Sequence, residues 1–176
     1  MSKTGRILFQ SVLFGIFGAL MFVSDIAMEA LPNIHILAMF IVTFTVVYRV
    51  KALIPIYIYV FMTLLYSGFA PWAVPYLYIW TVLWAMVMLL PKNMPPMVAM
   101  IVYMVVAGLH GILFGTLYAP MQIIMFGMSW DSLLPWIVAG LPFDVIHCIG
   151  NVTTGILIMP LVKVLRKMPG TVGTKF

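Results

Sequence analysis

Between Arg6 and Lys163 the only charged side chains are Asp25, Glu29, Arg49, Lys51, Lys92, Asp131 and Asp144. Stretches this long without charge cannot form a water-facing surface, which needs roughly a quarter of its positions charged. Only 7% of the 176 residues are charged, 65% are hydrophobic, and the mean hydropathy is +1.18. The chain therefore reads as an all-α integral membrane protein. Each spanning helix takes about 20 apolar residues, so residues 1–176 are expected to form one membrane domain, with no room for a separate soluble catalytic, ATP-binding or nucleic-acid-binding domain. The single cysteine, Cys148, excludes a disulfide framework and a cysteine-based zinc knuckle.

Short segments rich in proline, glycine and charge cut the apolar sequence into six predicted transmembrane helices, over residues 7–29, 34–48, 52–68, 74–90, 97–118 and 142–163. The second holds ~15 residues, about 22 Å of helix, so protein rather than lipid should cover its ends. The first has an apolar stretch too long for a signal peptide, with no small-residue cleavage site before Asp25 and Glu29. Residues 119–141, with Pro120, Gly127, Trp130, Pro135, Trp136 and Gly140, read as an interfacial or re-entrant segment anchored by tryptophan.

Basic residues set the expected orientation. Six spans with a cytoplasmic N-terminus put Lys3, Arg6, Arg49, Lys51, Lys92, Lys163, Arg166, Lys167 and Lys175, all nine basic residues, on the cytoplasmic side. This is the positive-inside pattern, and it places both termini in the cytoplasm. Asp25, Glu29 and Asp131 fall on the opposite side, and Asp144 lies near the outer end of the last helix.

Polar residues inside apolar spans are the candidate site. Asp25 and Glu29 are four apart on one helix face, and His35 follows the sharp Ala30-Leu31-Pro32-Asn33 connection. Intramembrane carboxylates normally face a bundle interior or water, while the bland reading leaves both acids solvated among headgroups. A helix starting near Pro142 would align Asp144, His147, Cys148 and Asn151 along one face, either as a ligand-contacting stripe or as interhelical hydrogen bonding. A metal site is the sharper version of the first reading, but no paired-histidine motif supports it and no metal or other cofactor is expected. Tyr76, Trp80 and Trp84 repeat every four residues, as core packing or as a stacking wall for a flat ligand. His110, mid-span between Gly108 and Gly111, is either a ligand contact or a hydrogen-bonded core histidine. In the first helix Gly15, Gly18 and Ala19 form a small-residue strip that lets another helix approach, from this bundle or from a partner.

Six short spans in fewer than two hundred residues, the small-xxx-small pair Gly15–Ala19, and a polar, aromatic outer cavity together resemble the substrate-binding S component of an energy-coupling factor (ECF) vitamin transporter. The likeness extends to Leu31-Pro32-Asn33-Ile34, to Pro75-Tyr76-Leu77-Tyr78-Ile79-Trp80, and to the segment from Gly140 to Asn151. The resemblance implies a prokaryotic plasma-membrane protein that is not itself an enzyme. Its partners would be a coupling transmembrane subunit, docked at Gly15 and Ala19, and two cytosolic ATPases. Gly15 stands where the family commonly has alanine, and the histidine-containing N-terminus of its nickel and cobalt members is absent.

The expected substrate contacts are Asp25, His35, Tyr76, Trp80, His110, Asp144, His147 and Asn151. With no lysine or arginine expected in the outer half, an anionic vitamin would lack a cationic partner. A neutral or cationic ring compound fits better: a corrinoid first, on family likeness, then thiamin or its pyrimidine, a flavin or a nucleobase. Two other classes stay open. One is a stand-alone proton-coupled carrier using Asp25, Glu29 and Asp144; the other is a membrane-embedded enzyme using Asp144 and His147 with Cys148.

Overall fold

A computed structural model describes residues 2–31 and 33–168; Pro32 and Lys175, both invoked above, lie outside them. The described residues form helices joined by short turns, with no β-strand. The order is α1 (Lys3–Ala27), α2 (Leu37–Tyr48), a 3-10 turn (Arg49–Ala52), α3 (Leu53–Tyr66), α4 (Tyr76–Met88), α5 (Pro96–Ile112), α6 (Phe114–Phe126), α7 (Trp130–Gly155) and α8 (Ile158–Leu165). Four stretches are long and apolar enough to cross a membrane: Lys3–Ala27, Leu37–Tyr66, Pro96–Phe126 and Trp130–Gly155, with Tyr76–Met88 a shorter apolar helix. The all-α class is as expected, and these helices fit a multi-pass membrane protein.

α1 is apolar on both of its faces. Ser2 caps its start by accepting the Gly5 N–H at 3.1 Å, worth about 1 kcal/mol. Leu13, Phe14, Phe17, Gly18 and Met21 then face the bundle at helical spacing. The opposite face is equally apolar, with Leu8, Val12, Ile16, Leu20 and Val23 exposed. α7 goes further. It buries Asp144, His147, Asn151 and Gly155 while exposing Leu134, Val138, Leu141, Val145 and Ile149, the reverse of a helix in water.

The short second helix is the central pillar. All twelve residues of α2 are buried, and α4, α8, α7, α1 and α5 pack around it. At ~18 Å it is too short to cross a bilayer unaided; the surrounding helices cover its ends, as its length predicts. It stops at Arg49, whose φ of 54° and ψ of −122° break the helical path before α3.

Close approach elsewhere depends on small residues. A Cβ on Gly18 would lie 2.4 Å from Ile58 Cγ2, so α1 meets α3 at Gly18. A Cβ on Gly111 would lie 2.8 Å from the Cys148 backbone nitrogen, fixing how tightly α5 and α7 cross. Without a hydrophobic force between helices in lipid, such contact surfaces supply much of the association energy.

Residues 119–141, expected as an interfacial or re-entrant segment, are largely helical. Ala119–Phe126 completes α6, which ends at Gly127 in the left-handed region, and α7 begins at Trp130. Pro142 therefore lies inside α7 rather than at a helix start, as do Pro135 in α7 and Pro120 in α6. In membrane helices neighbouring groups re-satisfy the backbone that proline frees, so proline punctuates them less than it does soluble helices. The last predicted span, 142–163, is divided between the second half of α7 and α8.

Candidate functional site

A cavity of about 330 Å³ opens at the end of the bundle where α1 finishes. Asp25, Met28 and Glu29 come from that end of α1, and Leu31, Asn33, Ile34 and His35 from the connection to α2. Tyr76 enters from the start of α4, Phe114 and Tyr118 from α6, and His147 from α7. Asn33 has a φ of 60°, a left-handed conformation that asparagine tolerates better than most residues, and the Ile34 N–H closes onto the Leu31 carbonyl at 3.0 Å. This turn carries His35 back over the bundle. A second cavity of about 260 Å³ shares Asp25, Glu29 and Tyr76 and adds Ile26, Thr63, Tyr66 and Trp72. Among the described residues, no lysine or arginine lines either cavity.

Two hydrogen bonds organise the walls. The hydroxyl of Tyr59, fully buried on α3, donates to Asp25 Oδ2 at 2.8 Å and fixes the carboxylate across the α1–α3 interface. His35 and His147 meet through their Nε2 atoms, an arrangement that requires one ring to donate and the other to accept, so they differ in tautomer when both are neutral. Their rings sit 4.3 Å apart at 72°, and Phe114 lies 4.3 Å from His147. The Tyr118 hydroxyl donates to the Trp72 carbonyl at 2.6 Å, tying α6 to the α3–α4 connection.

Beneath this wall lies a polar and aromatic layer. Trp80 is fully buried, with its ring 5.6 Å from those of His35, His110 and Phe114. His110 Nε2 pairs with the Ile79 carbonyl at 3.0 Å, and Asn151 Nδ2 donates to the Ala107 carbonyl at 3.0 Å. Buried polar groups nearly always find partners, yet His35 Nδ1, Trp80 Nε1, His110 Nδ1, Asp144 Oδ2 and Asn151 Oδ1 have no hydrogen-bond partner among the described residues. All five belong to side chains expected from the sequence to contact substrate.

The expected residues thus separate into groups. Asp25, His35, Tyr76 and His147 line the cavity, with Glu29 beside them. Trp80, His110 and Asn151 lie below it and are buried. Asp144 is 4% exposed and accepts the Gly115 N–H at 2.9 Å through Oδ1. That bond caps the first turn of α6, whose own N-cap residue, Leu113, supplies no side-chain bond. A Cβ on Gly115 would lie 2.7 Å from Asp144 Oδ2, so this approach needs glycine. Cys148, expected on the same stripe, is half-buried against Gly108. Gly15 and Ala19 are half-exposed on α1, and among the described residues no other helix comes within 4 Å of where a Gly15 Cβ would be.

Phe114 and Tyr118 went unrecognised in the sequence, and Tyr59 stood out only as one aromatic of its helix, without its bond to Asp25. His110, Phe114 and Tyr118 recur every four residues, and that spacing was the available signal for the first two. The bond from Tyr59 had no local signal, because it depends on the α1–α3 pairing. Among the described residues, no three of histidine, cysteine, aspartate and glutamate gather as a metal-holding group. No protein-family model, no curated protein and no solved structure matches the chain.

Proposed function

We propose that the protein is the substrate-binding S component of an ECF-type importer in a prokaryotic plasma membrane, taking a neutral or cationic ring compound from the outer side. The observation that carries this reading is the acid-lined, aromatic cavity without lysine or arginine, above five buried polar atoms that lack partners. Aromatic faces and carboxylates attract a flat cation, and unpartnered donors and acceptors favour a heterocycle that can pair with them. A volume of about 330 Å³ is at the small end for ligand pockets, which favours a one- or two-ring vitamin or nucleobase over a corrinoid.

Six spans with both termini cytoplasmic agree with the way the chain alternates between its two ends. Asp25, His35, Tyr66, Tyr76, Phe114 and His147 line the two acid-end cavities, while Arg49, Lys92 and Arg166 line a cavity of their own. Transport would be powered by two cytosolic ATPases through a coupling subunit. The open face of α1 at Gly15 suits close helix docking. The enzyme reading draws less support, because the Asp144 carboxylate bonds Gly115 while His147 bonds His35.

The test is mass spectrometry of small molecules released from detergent-purified protein, paired with thermal shifts against a panel of ring vitamins and nucleobases. A stoichiometric ring compound whose excess progressively raises the melting temperature is the expected result. Absence of both a released compound and any shift across the panel would overturn the reading.

A further inference from the structure

The second cavity at the acid end, of about 260 Å³, has a wall chemistry of its own. Tyr59, Thr63 and Tyr66 follow one another at four- and three-residue spacing on one face of α3. Tyr59 takes one oxygen of Asp25, and the other two line the cavity. Trp72, in the connection to α4, and Tyr76, at the start of α4, add two rings whose planes cross at 77° with centroids 6.0 Å apart. Tyr66 is braced edge-on by Phe22 of α1, 5.6 Å away at 75°. Asp25 and Glu29 form the acidic side.

One buried hydroxyl lines this space. Thr63 is 3% exposed, and its Oγ1 has no hydrogen-bond partner among the described residues. A helical threonine can satisfy its hydroxyl on a carbonyl one turn back, as Thr45, Thr153 and Thr154 do in this bundle. Thr63 does not, and a buried hydroxyl left open costs stability unless something pairs with it. Its oxygen can accept a hydrogen bond, as can the Asp25 oxygen that Tyr59 leaves. The ring faces attract positive charge.

We propose that this cavity binds a protonated amine, the cationic arm of a compound whose ring occupies the larger cavity. The inference rests on the substrate-binding reading and narrows its substrate class to an aryl- or heteroaryl-alkylamine. Both cavities are lined by Asp25, Glu29 and Tyr76, so a short linker joins the two parts of the ligand there. The ammonium donates its N–H groups to Thr63 Oγ1 and to Asp25, while its methylenes lie against Trp72 and Tyr76. A quaternary ammonium has no N–H to give and would leave Thr63 unpaired.

The test is titration calorimetry and thermal unfolding of the detergent-purified protein with phenethylamine, with its neutral counterpart 2-phenylethanol and with tetramethylammonium. The native chain is compared with Thr63→Val and Trp72→Leu. Valine keeps the shape of threonine while removing the open hydroxyl. Trp72 is exposed and accepts the Tyr118 hydroxyl through its backbone carbonyl, so both variants should fold. Phenethylamine is expected to raise the melting temperature more than either comparison compound. Empty Thr63→Val should melt no lower than the native chain and bind phenethylamine about tenfold more weakly, and Trp72→Leu about threefold more weakly. Equal stabilisation by either comparison compound, undiminished binding in both variants, or a lowered melting temperature of empty Thr63→Val would overturn the proposal. So would stabilisation in phosphatidylethanolamine over phosphatidylcholine nanodiscs with none by phenethylamine, which would assign the amine to a lipid headgroup. Binding of a neutral ring vitamin without binding of phenethylamine would overturn this inference and leave the substrate-binding reading standing. Binding of phenethylamine with no released compound and no shift by any vitamin or nucleobase would do the reverse.

Discussion

His35 and His147, separated by 112 positions in the chain, share a hydrogen bond between their Nε2 atoms in the wall of the acid-end cavity. One ring comes from an irregular connection and the other from the middle of α7, so the bond joins the loop over the cavity to the helix that carries most of its polar stripe. Replacing either histidine alone by alanine should cost stability, and replacing both should cost less than the sum. The shortfall should be about 1 kcal/mol, the net worth of a neutral hydrogen bond. Thermal unfolding of the two single variants and the double variant measures it, and strict additivity would show that the rings do not depend on each other.

Asp25 and Tyr59 permit a cleaner separation of structure from binding. An amide oxygen can still accept the Tyr59 hydroxyl, so Asp25→Asn should leave the empty protein's melting temperature nearly unchanged while removing the carboxylate that draws a cation. Affinity for a cationic ring compound should fall about tenfold or more, ~1.4 kcal/mol, as titration calorimetry would read. Tyr59→Phe should do the reverse, lowering stability by about 1 kcal/mol while keeping the ring's packing on Tyr76 and Trp80. Equal loss of affinity for cationic and neutral compounds in Asp25→Asn would show that charge is not what the carboxylate contributes.

Asp144 is predicted to cap α6 through Oδ1, which leaves Oδ2 to the ligand. Asp144→Asn keeps an acceptor for the Gly115 N–H and should be close to neutral, whereas Asp144→Leu removes the cap and should cost about 1–2 kcal/mol. The comparison is again made by thermal unfolding. Comparable destabilisation by both substitutions would mean that the charge, not the cap, is what the bundle uses.

How much of this could be read from sequence follows a physical divide. The apolar helices, the helical class and the short second helix were readable because scarcity of charge and length of apolar runs are local properties. Asp25, His35, Tyr76 and His147 were recognisable as polar or amphipathic side chains in or beside apolar spans, and they do share a cavity. The cap from Asp144 to α6 was not readable, since it depends on α7 crossing close enough for a carboxylate to reach Gly115. The helix start expected near Pro142 was misplaced because that proline was given the breaking power it has in water. The strain at Arg49 is equally invisible in sequence, where the residue reads as one more cation of a positive-inside loop.

Gly15 and Gly111 look alike in sequence and should behave oppositely. A Cβ at Gly111 meets backbone, the Cys148 nitrogen at 2.8 Å and its Cα at 2.9 Å, so no side chain can swing away and Gly111→Ala should force α5 from α7. The expected cost is about 1–3 kcal/mol. At Gly15 nothing lies within 4 Å, and leucine is the better helix former, so Gly15→Leu should leave the isolated protein's melting temperature unchanged or slightly raised. If α1 docks a coupling subunit through this strip, the same leucine should prevent the two from copurifying, because the close helix approach would be lost. Normal copurification of Gly15→Leu would remove the strip from the docking surface, while a lowered melting temperature would mean that Gly15 serves the bundle itself.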